Sequence, residues 1–97
     1  DFFNGLESYY SVLGQDKNQK PIAVLIEKNS QKIYVYQLES GTSQEKAEAV
    51  VREKGATEID KITFGRYADK PVWEIKSGGD YYLVDFETGV ILEKEKL

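Results

Sequence analysis

Two pairs of carboxylates near the C-terminal end of the chain have a spacing that could serve acid–base or metal chemistry. Asp85 and Glu87 are two residues apart, and so are Glu93 and Glu95. In a β-strand this spacing puts both carboxylates of a pair on one face, as an acid and base pair or a hard metal ion requires. Alternating charges at strand ends are, however, typical of solvated sheet edges. We therefore predict neither catalysis nor a metal site at these residues.

Other residue types that perform chemistry are missing or lack their partners. The 97 residues include no His, Cys or Met, which removes the usual general base, the thiolate nucleophile and the disulfide. No serine has an imidazole to activate it, and none lies in a Gly-x-Ser-x-Gly motif. Gly78-Gly79-Asp80 lacks the helix and the Lys of a phosphate-binding loop, and it is predicted to form a hairpin turn. We predict a protein that is not an enzyme and that holds no cofactor or metal.

The distribution of charge argues against a nucleic-acid partner. The 13 basic residues are scattered among 17 acidic ones, with a net charge of −4, and they form no basic stripe. No segment approaches the roughly 20 consecutive apolar residues that span a bilayer. The chain begins at Asp1 without a methionine, and we expect a membrane anchor or signal segment to lie outside it.

Aromatic side chains are abundant in the predicted strands. Tyrosine combines a large rigid contact area with a polar tip, which suits it to protein interfaces. Strand alternation places Tyr34 and Tyr36 on the face opposite Ile33 and Val35. The rings could equally fill a seam between two halves of the chain, and the sequence leaves this open. The candidate protein-interaction surface consists of Tyr34, Tyr36, Tyr9, Trp73 and Tyr82.

The first 41 residues are predicted to contain strands and no helix. Asn4-Gly5 suits a tight turn between a short strand over Asp1–Phe3 and a second strand from about Leu6 to Gly14. Polar turns then separate strands over Pro21–Glu27 and Ile33–Leu38. A meander of about four strands results, with no helix of its own to cover its apolar face. We expect that cover to come from an amphipathic helix upstream of the chain.

Residues 42–97 are predicted to contain a helix followed by four strands. Thr42 or Ser43 can cap a helix over residues 43–54, and Gly55 suits the left-handed position that ends it. Strands are predicted over Ile59–Tyr67, Val72–Lys76, Tyr81–Phe86 and Val90–Glu93. This order of strands and turns repeats that of the first segment. We predict an α+β chain with two related halves, 1–41 and 42–97, each a meander with a helix packed on it, the first helix being missing.

The turn before the last predicted strand has a recognisable pattern. Gly89 can take the positive φ that the turn needs, while the side chains of Asp85 and Thr88 can hydrogen-bond its backbone. Together with Val72-Trp73-Glu74-Ile75, this stretch resembles the closing hairpin of PepSY-type domains. The helix start at Ser43-Gln44-Glu45-Lys46-Ala47 also resembles that family.

Over nearly its whole length, the chain is similar to the YpmB/TseB-like cell-wall elongation regulator family of Gram-positive bacteria. The resemblance implies two cystatin-like (PepSY-like) halves, an upstream membrane anchor and an extracytoplasmic location at the outer face of the cell membrane. It implies regulation of cell-wall elongation through contact with a penicillin-binding protein. PepSY relatives also occur in peptidase propeptides, so inhibition or modulation of a secreted peptidase is the alternative. We expect a monomer.

Overall fold

The computed structural model of the protein describes residues 8–96. Within them, one three-stranded and one four-stranded antiparallel sheet accompany a single α-helix, which confirms the predicted α+β class. The strand predicted over Asp1–Phe3 and the turn at Asn4-Gly5 lie outside the described residues. The first sheet has the order β1-β2-β3, with β1 at Tyr9–Gln15, β2 at Pro21–Glu27 and β3 at Ile33–Gln37. The second has the order β4-β5-β6-β7, with β4 at Lys61–Tyr67, β5 at Lys70–Ser77, β6 at Asp80–Asp85 and β7 at Ile91–Lys96.

A 3₁₀ turn over Leu38–Ser40 and helix α1 over Gln44–Glu53 connect the two sheets. Ser43 caps α1, since its Oγ accepts a hydrogen bond of 3.1 Å from the backbone N–H of Lys46. At the other end Gly55 has φ +107°, and its N–H donates to the carbonyl of Arg52. The N–H of Ala56 donates to the carbonyl of Val51, which completes a Schellman motif. The helix therefore lies within one residue of its predicted bounds, with Ser43 as its cap.

The connection between β4 and β5 is tighter than the sequence predicted. A turn was expected over Ala68-Asp69-Lys70-Pro71, but Tyr67 pairs with Lys70, so that Ala68 and Asp69 alone form the turn. Both have positive φ, at 51° and 63°. Pro71 lies inside β5, where its missing N–H does no harm because the pairing of β5 with β6 begins one residue later, at Val72.

The core joins α1 to both sheets. Ala47 and Val51 of the helix pack with Ala23 and Leu25 of the first sheet in one buried cluster. The second sheet supplies the large side chains of that cluster: Phe64, Trp73, Ile75, Tyr82 and Val84. The ring of Phe64 meets that of Trp73 edge to face, with the centroids 5.0 Å apart. The division of the chain into 1–41 and 42–97 stays a prediction; the two segments contribute to one core.

The segment that enters α1 is fixed against the second sheet. Indole Nε1 of Trp73 donates a hydrogen bond of 2.8 Å to the carbonyl of Thr42, and the N–H of Thr42 donates to the carbonyl of Phe86. Gly41 lies so close to Phe86 that a Cβ at this position would be 2.6 Å from the ring. A side chain here would force the segment away from the sheet.

Within residues 8–96, no helix has the length and apolar character that crossing a membrane requires.

Candidate interaction surfaces

The five aromatic residues proposed as an interaction surface divide into two groups. Trp73 and Tyr82 belong to the core, with 2% and 1% of their surface exposed, and neither has area to offer a partner. Both lie on the face of the second sheet that packs in the cluster with α1. Tyr9, Tyr34 and Tyr36 are half-buried and pack against the edge of that cluster. Of the five proposed residues, only the three that belong to the first sheet therefore have accessible surface for a partner.

The opposite face of the first sheet is apolar and open. Register places Tyr10 beside Ile26 and Ile33 in one row, and Val12 beside Val24 and Val35 in the next. We call these six residues the outer face. Tyr10, Val12, Ile33 and Val35 are 58%, 57%, 63% and 58% exposed. Contiguous exposed apolar area of this kind is typical of a surface that contacts another element or molecule. Within the described residues the outer face joins neither buried cluster; the helix expected upstream stays a prediction.

Three tyrosines surround an arginine where the two sheets meet. β1 lies beside β4 there, which brings Tyr9 of β1 and Tyr34 and Tyr36 of β3 to Arg66 of β4. We call these four residues the seam cluster. The guanidinium carbon of Arg66 lies 3.9 Å from the ring centroid of Tyr34, and the ring of Tyr9 meets that of Tyr34 edge-on at 6.2 Å. Nη1 of Arg66 donates to the hydroxyl of Tyr9 at 3.4 Å.

Burial and the neighbouring side chains together determine the charges of the seam cluster. Burial raises the pKa of Tyr36, and the positive charge of Arg66 only partly opposes this effect. Burial alone would lower the pKa of Arg66, but the hydrogen bond to Tyr9 and the electrostatic interaction with Tyr36 outweigh it, so the pKa is raised. At neutral pH Tyr36 is therefore a neutral phenol and Arg66 a cation.

Arg66 is the member of the seam cluster that does not belong to the interaction surface predicted from the sequence. The chain has two arginines, and Arg66 is the one that lies between aromatic residues in a predicted strand, in Phe64-Gly65-Arg66-Tyr67. Arginine stacks on aromatic rings more readily than lysine because its guanidinium is planar and weakly hydrated. An arginine in a tyrosine-rich strand was therefore a usable signal.

Asp85, Thr88 and Gly89 shape the turn between β6 and β7. Oδ1 of Asp85 accepts a hydrogen bond of 2.8 Å from the N–H of Glu87, and Oγ1 of Thr88 accepts one of 3.2 Å from the N–H of Val90. Gly89 has φ +79°. Oδ2 of Asp85 lies 3.8 Å from Nζ of Lys70. Asp85 is 2% exposed, and both of its oxygens are engaged in this local structure.

The two carboxylate pairs lie in different surroundings. Asp85 is buried in β6, whereas Glu87 is exposed in the turn that follows, so the two do not share a strand face. Glu93 and Glu95 are exposed on β7. An open cleft of about 540 Å³ between α1 and the 87–89 turn is lined by Lys46, Glu53 and Glu87 among others. In the described part of the chain, no group of three or more His, Cys, Asp or Glu residues could hold a metal ion.

Comparison with known proteins agrees with the resemblance seen in the sequence. The first 27 residues match the family described as "Cell wall elongation regulator TseB-like domain". The structure is similar to that of the YpmB protein from Bacillus subtilis, with a TM-score of 0.80 and 26% sequence identity over 92% of this chain and 75% of that chain. No curated protein matches the sequence. The predicted resemblance is thus confirmed by a partial match in sequence and by a nearly complete match in structure.

Proposed function

We propose that this chain, which is similar to TseB/YpmB-like domains, is a non-catalytic protein-binding module that regulates cell-wall elongation by contacting a penicillin-binding protein. The observation that carries the proposal is the match of residues 1–27 to a cell wall elongation regulator domain, joined to the YpmB fold. The proposed location is the outer face of the cell membrane of a Gram-positive bacterium, where an anchor outside this chain tethers the protein. We interpret its two sheets as two cystatin-like halves, and the protein as a monomer.

The surface chemistry supports binding rather than catalysis. Four large apolar side chains are more than half exposed on one sheet face, which is the kind of area that protein contacts bury. Asp85, the buried carboxylate, is held by its own turn and by Lys70, so it is not positioned as a general acid or base toward a substrate. An interaction role also agrees with tyrosine and arginine at the seam, since both residue types are enriched at protein interfaces.

Site-specific photo-crosslinking of the membrane-anchored protein in living cells tests the proposal. A photo-reactive amino acid replaces Tyr10 or Val35 on the outer face, or Asp69 beside the seam cluster, and the captured proteins are identified by mass spectrometry. Lys17, exposed in the turn between β1 and β2, serves as the control position. We expect a penicillin-binding protein to be captured from at least one of the three surface positions and not from Lys17.

Two results would contradict the proposal. Recovery of no penicillin-binding protein from any position would remove the proposed partner. Capture of a secreted peptidase, together with slower cleavage by that peptidase when the protein is added, would replace it with the inhibitor function implied by the PepSY resemblance. A variant without the membrane anchor gives the matching control, because a tethered regulator should lose its partner when it is released from the membrane.

A further inference from the structure

Arg66 carries a positive charge that no carboxylate balances within the described residues. Ion pairs elsewhere in that part of the chain, such as those of Lys20 with Glu39 and of Lys70 with Asp85, do not involve Arg66. Arg66 instead contacts the hydroxyl of Tyr9, the ring of Tyr34 and the main-chain carbonyl of Asp69. Its Nε is buried and has no hydrogen-bond partner. Partial desolvation of a cation costs free energy unless an anion or full hydrogen bonding compensates it. Binding of an anion should therefore stabilise the cluster.

The hydrogen-bond donors of the seam cluster are only partly used. A guanidinium has five N–H groups. One from Nη1 goes to Tyr9 at 3.4 Å and one from Nη2 goes to the Asp69 carbonyl at 3.2 Å, and the hydroxyl of Tyr36 is a further acceptor beside the guanidinium. The hydroxyl of Tyr9 accepts the bond from Arg66 and can donate its own proton. The guanidinium donors that remain and the hydroxyl donor of Tyr9 therefore lie together in a half-buried site.

We propose that the seam cluster is a carboxylate-binding site, in which the guanidinium of Arg66 and the hydroxyl of Tyr9 donate the hydrogen bonds. The guanidinium carbon lies 3.9 Å from the centroid of the Tyr34 ring, which limits the positions the guanidinium can take, and a planar guanidinium suits the bidentate geometry of a carboxylate. The net charge of −4 disfavours a phosphate dianion. The source that we assign to the carboxylate, an Asp or Glu side chain of the partner protein, rests on the proposed function.

Titration with sodium acetate at constant ionic strength tests the site without any partner. Side-chain Nε–H resonances of both arginines are followed by NMR in the ¹⁵N-labelled protein. Arg52 is the internal control, since it is exposed on α1 and donates to the carbonyl of Thr57. We expect a saturable shift at Arg66, with a dissociation constant on the order of 10 mM for so small a probe, and no saturable shift at Arg52. An equal response at both arginines, or tighter binding of inorganic phosphate than of acetate, would overturn the proposal.

Three variants separate the effect of bidentate hydrogen bonding by the guanidinium from the effect of its positive charge. Arg66→Lys keeps the charge but loses the bidentate donors, and we expect acetate binding, followed at the ring resonances of Tyr9 and Tyr34, to weaken about tenfold. Tyr9→Phe keeps Arg66 in place and should weaken acetate binding about threefold. This variant also covers the case in which Arg66→Lys does not fold. Arg52→Lys should bind acetate as the parent protein does. Unchanged acetate binding in Arg66→Lys or in Tyr9→Phe would contradict the assignment.

The crosslinking experiment identifies the source of the carboxylate. With the photo-reactive residue at Asp69, Arg66→Lys should reduce capture of the partner about tenfold, and Arg52→Lys should not change it. If Arg66→Lys abolishes acetate binding but leaves capture unchanged, the partner's side chain is ruled out as the ligand, while the acetate result still supports a carboxylate site. If no penicillin-binding protein is captured from the parent protein, the proposed function fails, and the acetate titration still decides the site.

Discussion

The environment of Tyr36 makes the protein sensitive to alkaline pH. Burial raises the pKa of Tyr36 above 10.0, so the folded state holds the phenol proton more tightly than the unfolded state does. The stability gained from Tyr36 is therefore fully present below pH 10 and is lost as the pH rises through the folded pKa. We expect the free energy of unfolding of Tyr36→Phe to fall less between about pH 9 and pH 11 than that of the parent protein.

Urea unfolding at a series of pH values measures this difference. Tyr10→Phe is the matched control, because the ring of Tyr10 is 58% exposed on the outer face. Its pH dependence should follow that of the parent protein. If Tyr36→Phe and Tyr10→Phe had the same alkaline profile as the parent, burial of the Tyr36 phenol would not be the cause of the sensitivity.

The two faces of the first sheet should differ sharply in what they contribute to stability. Leu25, on the inner face, is fully buried, and Leu25→Ala should cost about 2–5 kcal/mol because it removes apolar contacts and leaves a cavity. Val35, on the outer face, is 58% exposed, and Val35→Ala should change stability by only about 0.5 kcal/mol. Chemical denaturation of both variants checks the contrast. A loss at Val35 as large as that at Leu25 would mean that the outer face is covered.

Most elements could be predicted from the sequence because their ends carry strong local signals. β2 has its predicted bounds, since Pro21–Glu27 is an apolar run between polar turns. Helix α1 was found from its cap and from Gly55. The β4–β5 turn was too long in the prediction because Pro71 normally marks a loop, whereas here it fits a strand position that needs no donor. The 3₁₀ turn over Leu38–Ser40 was missed, and its first residue was assigned to β3.

The candidate site could be predicted only in part, because the contacts of its residues depend on how the two sheets pack together. Alternation in β3 correctly separated Tyr34 and Tyr36 from Ile33 and Val35, but both sets are apolar, so the pattern could not tell which set faces inward. The tyrosines face the core and the aliphatic residues face outward. Arg66 contacts Tyr9 and Tyr34 only because β1 and β3 of one sheet meet β4 of the other. That contact is set by tertiary structure, so the aromatic neighbours of Arg66 in its own strand favour stacking but do not identify Tyr9 and Tyr34 as its partners.

At the scale of the whole molecule, a shared core predicts that both sheets unfold together. Ala23 and Leu25 of the first sheet pack in one cluster with Trp73 of the second. Because Trp73 is the single tryptophan, its fluorescence reports on the second sheet, while far-ultraviolet circular dichroism reports on both. We expect the two signals to give one coincident urea transition, and Leu25→Ala to lower the midpoint of both by the same amount. Val35→Ala, the control on the outer face, should leave both midpoints nearly unchanged. If Leu25→Ala lowered the circular dichroism midpoint but not the fluorescence midpoint, the first sheet would unfold independently, and the two halves would be separate cooperative units.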